Sequence, residues 1–327
     1  MLFTSLEFLI FLVSTLLVYY SVPTKKMQLI TVTIASCIFY AWNHLPLLLL
    51  LIFSILVNYY VVLCINNEHK RGKIYATLGV TINLIVLSIF KYSGLIATSL
   101  NIQNGDIGSF MIAIPLPIGI SFYTFQGISL VVDSYRGKVT SSNPQKSTDS
   151  FIHYFHYISF FPQLVAGPIV KARTFLPQIT KKDFKNIRWD YCFKLITLGY
   201  FLKMVVADNL KNYTFWMEYP FFDNKATITL FSYLFGYSMQ IFADFEGYSL
   251  IAIGIAGLFG YHLPKNFNFP YIAKSFSDFW RRWHISLSSF LKEYLYIPLG
   301  GNKNGKVRTY FNLFITMFLG GLWHGAA

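Results

Sequence analysis

Two histidines that follow tryptophan have the surroundings in which side-chain chemistry is expected. His284 follows Trp283 in the run SDFWRRWHISL, and His324 follows Trp323 in the run FLGGLWHGAA. Imidazole titrates near neutral pH, so it can accept a proton from a hydroxyl without carrying a permanent charge into apolar surroundings. The residue types and their spacing leave a catalytic and a structural role open for both histidines.

The other histidines lie in or beside loops and short apolar segments, where we predict structural roles: His44, His69, His153, His156 and His262. His153 and His156 are three residues apart and could ligate a metal from one face of a helix. The pair alone does not make a metal site, and we predict none.

The segment that carries His284 is predicted to form one amphipathic helix with Ser277 as its N-cap. Spacing of i, i+3, i+4 and i+7 would place on one face Trp280, Trp283, His284 and Leu287. Aromatic and cationic side chains on such a helix are typical of a segment that lies in the membrane interface.

The composition predicts that these segments belong to an integral membrane protein. Hydrophobic residues make up 54% of the 327 positions and charged residues 13%, whereas soluble domains carry about 25% charged residues. Candidate membrane spans, joined by short loops, are predicted in the apolar runs at residues 2–22, 27–41, 45–65, 74–97, 110–132 and 310–323, since a crossing needs about 20 apolar residues. We therefore predict an all-α, polytopic helical bundle that forms a single domain over residues 1–327.

The net charge of +13 could indicate nucleic-acid binding, but the distribution of the basic residues favours membrane topology. With the N-terminus outside, the basic loop residues of the first half would all be cytoplasmic: Lys25, Lys26, Lys70, Arg71, Lys73, Arg136, Lys138 and Lys146. This asymmetry is what the positive-inside rule predicts, and we predict no nucleic-acid partner. The cysteines, Cys37, Cys64 and Cys192, are interpreted as lipid-buried or core thiols.

Several segments are predicted to depart from simple spans. Pro115 and Pro117 make the 110–132 span irregular, which is tolerated at membrane depth where protein shelters the backbone. Residues 151–167 are expected to enter the membrane and return as a re-entrant segment. Residues 228–259 could form two short crossings interrupted by Asp244 and Glu246, or these carboxylates could lie in a loop.

Long runs of this sequence together resemble the membrane-bound O-acyltransferase family, in its bacterial branch of alginate O-acetyltransferase membrane subunits. The runs are PLPIGISFYTFQGISLVVDSYRG, ISFFPQLVAGPIVKARTFLPQI, MQIFADFEGYSLIAIGIAGLFGYHLPKNFNFPY, SFSDFWRRWHISLSSFLKEYLYIPLGGNKNGK and FITMFLGGLWHGA. The resemblance covers nearly the whole chain in the same order. It implies a membrane bundle with re-entrant and interfacial helices and a tunnel near the bilayer centre.

The resemblance also implies which residues act. The essential histidine of the family lies in a Trp-His-Gly motif, which matches Trp323, His324 and Gly325. A second family histidine lies in a Trp-Arg-Arg-Trp-His motif, which matches His284. Supporting positions are assigned to Trp280, Trp283, Trp323 and, as an orienting or structural residue, Asp278.

The activity that the resemblance implies is transfer of an acetyl group from a cytoplasmic donor, acetyl-CoA, towards an extracytoplasmic hydroxyl. His324 would act as the general base on the accepting hydroxyl or in a thiol-exchange step, and His284 would position or polarise the donor. The acceptor would be alginate, another exopolysaccharide or peptidoglycan, reached with a periplasmic or extracellular acetyltransferase partner protein. The expected location is the bacterial inner membrane, with multiple crossings, lipid around the bundle and no tightly bound cofactor.

Two alternatives remain open from the sequence. Broken helices and internal ionisable residues also occur in transporters and flippases of envelope precursors, although no internal repeat is evident. Because members of the family continue through further helices after the Trp-His-Gly motif, we expect these 327 residues to lack the C-terminal helices. An inactive scaffold is therefore the second alternative.

Overall fold

The computed structural model describes residues 1–42, 44–102, 104–139, 147–165 and 167–325, and within these ranges it contains helices and no strand. The helices are α1 (Leu6–Ser21), α2 (Lys25–Ala41), α3 (Leu45–Asn67), α4 (Gly72–Ser99), α5 (Asp106–Ala113), α6 (Ile120–Tyr135), α7 (Ser147–Ser159), α8 (Phe161–Leu164), α9 (Ala172–Phe175), α10 (Trp189–Tyr200), α11 (Asp208–Thr214), α12 (Thr227–Leu258), α13 (Phe276–Arg282), α14 (Ile285–Leu291) and α15 (Gly305–His324). Segments Phe201–Ala207 and Lys292–Tyr296 are π-helical. Lys146, counted above among the cytoplasmic residues, lies outside the described ranges.

The described helices confirm the prediction of an all-α membrane protein. In these ranges, three helices are long and apolar enough to cross a membrane: Leu45–Asn67, His69–Ser99 and Thr227–Leu258. The apolar helix α1 is shorter, with 16 residues. A crossing needs about 20 apolar residues.

The chain divides into two compact units. The first comprises Met1–Pro23, Ala166–Pro168 and Lys181–Ile285, and the second comprises Thr24–Val165, Ile169–Thr180 and Ser286–Ala327. Both units are built from segments that are distant in sequence. The single domain over residues 1–327 stays a prediction.

The first unit is organised around α12, which corrects the prediction of two short crossings or a loop. Residues Thr227–Leu258 form one continuous helix of 32 residues. The carboxylate of Asp244 lies 2.5 Å from the ammonium group of Lys203, so its charge is paired without any break in the helix. Helix α12 also packs closely on α10, where a Cβ atom added at Gly247 would lie 2.8 Å from the carbonyl oxygen of Gly199.

The second unit contains α3, α4 and α6, which pack around a pair of buried amides. The side-chain amide of Asn83 donates to Asn58 Oδ1 at 2.8 Å, and Asn58 Nδ2 donates to Asn83 Oδ1 at 3.3 Å. Gly127 of α6 faces the pair, because a Cβ atom there would lie 2.6 Å from Asn58 Nδ2. Hydrogen bonding thus satisfies polar groups that would be costly alone in apolar surroundings.

The predicted irregularity at Pro115 and Pro117 is confirmed. Helix α5 ends at Ala113, and α6 begins at Ile120 after Gly119, whose φ is +78°. This left-handed conformation favours glycine, and Leu164 lies too close for a side chain at this position. In the predicted re-entrant segment, α7 ends at Ser159 and the short α8 follows, and entry of this segment into the membrane stays a prediction.

Candidate functional site

His284 lies at a break between two helices, which corrects the prediction of one continuous amphipathic helix. Helix α13 has Ser275, not Ser277, as its N-cap, and it ends at Arg282. His284 then adopts φ +43°, a left-handed conformation that is uncommon for residues other than glycine, although asparagine, aspartate and histidine adopt it more often than other side chains. Trp280, Trp283, His284 and Leu287 therefore do not share one helical face.

Backbone pairing with a distant segment explains the break. The amide of Asn268 donates to the carbonyl of Arg282 at 3.0 Å, and the amide of Ile285 donates to the carbonyl of Asn266 at 2.8 Å. The buried side chain of Asn266 is fixed in turn by donating to Ser249 of α12 at 2.9 Å. Because these groups bond outside the helix, the backbone turns at His284.

Aromatic rings surround this break in the first unit. His284 is 1% exposed, and its ring meets Phe245 edge to face at 4.6 Å between centroids. Trp283 stacks on Phe279 at 5.4 Å and contacts Phe267 at 4.9 Å. Trp280 is instead 40% exposed. The ring contact of His284 thus comes from Phe245 of α12, which the local sequence pattern does not reveal.

Asp278 has contacts of a structural kind. Its carboxylate accepts from Arg282 Nε at 2.9 Å and from the amide of Lys274 at 3.3 Å. The hydrogen bond from Arg282 lowers the pKa of Asp278, and the positive charges of Arg282 and Arg281 act in the same direction. These contacts fasten the first turn of α13 to the preceding loop.

His324 is the last residue of α15, in the second unit, and its side chain is exposed. The ring of Trp323 meets that of His324 edge to face at 4.5 Å. Lys91 of α4 donates a hydrogen bond to the carbonyl of Trp323, and its ammonium group lies 4.8 Å from the centroid of the Trp323 ring. Tyr92 donates to the carbonyl of Leu322 at 3.3 Å. Two neighbouring residues of α4 therefore bind the last carbonyls of α15.

A hydrophobic cluster supports Trp323 from the other side. Its ring lies 5.2 Å from that of Phe125, which in turn lies 4.5 Å from Phe290. Ile128, Ile169 and other apolar side chains complete the cluster. The exposed His324 thus lies at the end of α15, directly after Trp323, whose ring is packed and whose carbonyl is hydrogen-bonded.

A network of charged and polar residues in the second unit was missed by the sequence reasoning. Glu293 lies 2.8 Å from Lys171 and also pairs with Arg173. Arg173 Nη1 lies 4.0 Å from the fully buried Asp133, and Tyr294 donates to Asp133 at 2.8 Å. An ionisable residue in an apolar segment, here Asp133, is the signal that could have revealed the network.

The network holds Glu293 in its ionised form. Burial alone would raise the pKa of this carboxyl, but the hydrogen bond from Lys171 and the positive charges of Lys171 and Arg173 lower it below its ordinary value. Through these pairs, the start of the short helix α9, with Lys171 as its N-cap and Arg173 in its only turn, is tied to the π-helical segment after α14.

The two histidine motifs lie in different units. Trp283, His284 and Asp278 belong to the first unit, and Trp323 and His324 belong to the second. In the described ranges, no group of three or more histidine, cysteine or acidic side chains could hold a metal ion.

A cavity of 300 Å³ in the second unit has a basic lining that includes Lys25, Lys138, His153 and Arg173.

These features define a helical membrane protein with two tryptophan-flanked histidines. Residues 34–327 match the model of MBOAT, the membrane-bound O-acyltransferase family, and the chain belongs to this family. The resemblance noted from the sequence motifs is thereby confirmed.

The chain is also similar to named relatives. It is 36% identical over 335 residues to the probable alginate O-acetylase AlgI of Pseudomonas syringae, an alignment that covers all of this chain and 62% of the relative. It is 39% identical to the peptidoglycan O-acetyltransferase of Helicobacter pylori, over 90% of this chain and 60% of the relative. The teichoic acid D-alanyltransferase of Bacillus subtilis is 30% identical over 64% of this chain and 54% of the relative. The chain thus spans about three fifths of the length of the first two relatives.

Proposed function

We propose that the protein is an O-acetyltransferase that moves an acetyl group from acetyl-CoA towards hydroxyls of an extracytoplasmic polysaccharide. The observation that carries this proposal is the Trp323–His324 pair, an exposed imidazole at the end of α15 beside a tryptophan held by Lys91. Similarity to relatives named for O-acetylation supports the choice of acetyl as the group transferred.

In the proposed reaction, His324 takes the proton from the accepting hydroxyl as its oxygen attacks the acetyl carbonyl carbon. The new C–O ester bond forms, the thioester C–S bond breaks, and the sulfur leaves as a thiol after it receives the proton. Neutral imidazole suits this step because it can accept a proton and then return it. His284, buried against Phe245, is proposed to position or polarise the donor.

The proposed donor is an anion, and the basic cavity of the second unit supports a donor of that charge. Lys25, Lys138 and Arg173 contribute cationic groups to its lining. Grouped cations raise the local concentration of an anionic substrate by electrostatic attraction. The predicted topology places Lys25 and Lys138 on the cytoplasmic side, where acetyl-CoA is made available.

The proposed acceptor is alginate, another exopolysaccharide or peptidoglycan, with a periplasmic or extracellular acetyltransferase completing the transfer. The proposed location is the bacterial inner membrane, crossed several times. The relatives named for alginate and peptidoglycan O-acetylation support acceptors of this polymer class.

Proteoliposomes that contain the protein, with labelled acetyl-CoA inside and the periplasmic fraction of the source bacterium together with polysaccharide outside, provide the test. His324→Ala should abolish release of the acetyl group and its transfer to added polysaccharide, whereas His69→Ala, which changes an exposed histidine of the short 3-10 helix between α3 and α4, should leave both unchanged. Normal transfer by His324→Ala would refute the assignment of the base. Movement of a polysaccharide precursor across the bilayer without acyl transfer would instead support a flippase, and a folded protein without either activity would support a scaffold.

A further inference from the structure

A second basic cavity, in the first unit, has features that the proposed acyl transfer does not use. Its volume is 430 Å³, and it lies among the loop after Lys181, the start of α10, the last turns of α12 and residues 260–263. This volume is within the range of cavities that bind small molecules.

The charged lining of this cavity favours an anion. Lys181, Lys182 and Arg188 contribute three cationic groups, and Asp183 contributes one carboxylate. Arginine and lysine side chains bind phosphate through charge-assisted hydrogen bonds. The grouping of three cations with one carboxylate along one open cavity distinguishes this place from loops whose basic residues face solvent singly.

Aromatic rings arrange two of these cations before any ligand binds. The ammonium group of Lys182 lies 5.0 Å from the centroid of the Tyr261 ring, and the guanidinium of Arg188 lies 4.8 Å from that of Tyr191. Burial lowers the pKa of Lys182. A bound anion would offset this effect, because a nearby negative charge favours the ammonium form.

The remaining lining is apolar and belongs to the end of a membrane-length helix. Ile253 and Gly257 are in the last turns of α12, and Leu263 follows the helix. At about 1.5 Å per residue, the 32 residues of α12 are longer than the hydrocarbon core, which is about 30 Å thick. A helix of this length that crosses the bilayer has its ends in the layer of lipid headgroups.

Tyrosines of α1 hold this end of α12 in place. Tyr20 donates to the carbonyl of Leu258 at 2.6 Å, and Tyr19 donates to the carbonyl of Phe259 at 3.2 Å. The Tyr20 ring also meets Phe184 edge to face at 5.4 Å, and Phe184 lies 4.5 Å from Trp189. Tyrosine and tryptophan are enriched at the headgroup level of membranes.

We infer that this cavity binds the phosphate headgroup of an anionic membrane lipid, with Lys181, Lys182 and Arg188 as its phosphate ligands and the apolar wall beside the glycerol and upper acyl chain. A free phosphate ester carries the same charge but has no acyl chain to contact the apolar wall formed by Ile253 and Leu263. The site is independent of acyl transfer, since none of its residues is assigned to that reaction.

The protein in nanodiscs of phosphatidylcholine with a minor fraction of phosphatidylglycerol provides the test, with retained lipid counted by native mass spectrometry. The double variant Lys181→Ala/Lys182→Ala should weaken retention of phosphatidylglycerol roughly twenty-five-fold, about fivefold for each cation removed. Lys185→Ala removes an exposed cation from the same loop, outside the cavity lining, and should retain the lipid as the wild type does.

Two results would overturn the inference. Equal loss in Lys185→Ala and in the double variant would show attraction to a charged surface without a site. Displacement of phosphatidylglycerol by inorganic phosphate or by CoA at matched concentration would assign the cavity to a soluble anion. If the double variant does not fold, Arg188→Gln alone, compared with Lys185→Gln, tests the same site, and unchanged retention in Arg188→Gln would count against it.

Discussion

Lys91 of α4 binds Trp323 of α15 twice, through a hydrogen bond to the backbone carbonyl and through a cation–π contact at 4.8 Å from the ring centroid. The two residues are 232 positions apart in the sequence. A cation at a helix C-terminus also interacts favourably with the helix dipole. The position of the residue before His324 therefore depends on a side chain from another helix.

Under the proposed mechanism, Lys91→Met should lower kcat for acetyl transfer by up to about 100-fold, because displacing a general base by about 1 Å can have an effect of that size. Lys91→Arg should restore most of the activity, since guanidinium can also donate to the carbonyl and stack on the ring. Steady-state kinetics would check this expectation, with KM for the donor largely unchanged. Lys73→Met, an exposed position of the same helix, is the control, and equal loss there would contradict a specific role for Lys91.

His284→Asn should separate the backbone role of this residue from the role of its imidazole. Asparagine tolerates the left-handed conformation observed at φ +43°, so the variant should fold with nearly unchanged thermal stability. Under the proposed mechanism its acetyl transfer should fall by about 100-fold or more. His284→Val should instead lose stability, because a β-branched residue is strained at positive φ. Full activity of a folded His284→Asn would remove the imidazole from the mechanism.

Glu293→Gln should destabilise the protein by about 1–3 kcal/mol at neutral pH, because hydrogen bonds to charged partners are lost. The pKa of Glu293 is lowered in the folded state, so its contribution is present above the ordinary carboxyl range and is lost as the pH falls through the folded-state pKa. Unfolding in detergent followed from neutral to acidic pH should show the wild type and the variant converging in acid. A difference that stayed constant with pH would contradict the ion pairs as its source.

Gly247→Ala should destabilise the protein by about 1–3 kcal/mol, because an added methyl group overpacks the contact between α10 and α12. The added Cβ atom would lie 2.8 Å from the carbonyl oxygen of Gly199 and 2.9 Å from the amide nitrogen of Lys203. Gly236→Ala is the matched control in the same helix, since its nearest neighbour would be 3.7 Å away. Denaturation in detergent should show unchanged or slightly increased stability for the control, and equal loss in both variants would exclude close packing as the cause.

The sequence predicted features that depend on neighbours along the chain, and it failed where distant residues decide. Apolar runs placed α3 and α4 correctly, and the prolines marked the break before α6. The break at His284 depends on pairing with Asn266 and Asn268, which no local spacing reveals. Likewise, the charge of Asp244 suggested an interruption, but Lys203 pairs with it and α12 continues.

The candidate site shows the same division. The sequence motifs are enough to select His284 and His324 as candidate site residues, because each directly follows a tryptophan. Lys91 lies within the predicted apolar span of residues 74–97, and its contact with Trp323 requires α4 and α15 to be packed together. Asp133 and Tyr294 are 161 positions apart and meet only in the folded chain.

The hydrogen bonds between the buried amides of Asn58 and Asn83 fix how α3 and α4 are aligned along their axes. Each amide also donates to its own helix, to Ser54 and Gly79 respectively, both at 2.8 Å. A slip of one turn, about 5.4 Å, would separate the two amides and leave polar atoms in an apolar layer, at about 1–3 kcal/mol for each unsatisfied group. Apolar surfaces alone would tolerate many alignments of the two helices, whereas the amide pair permits one.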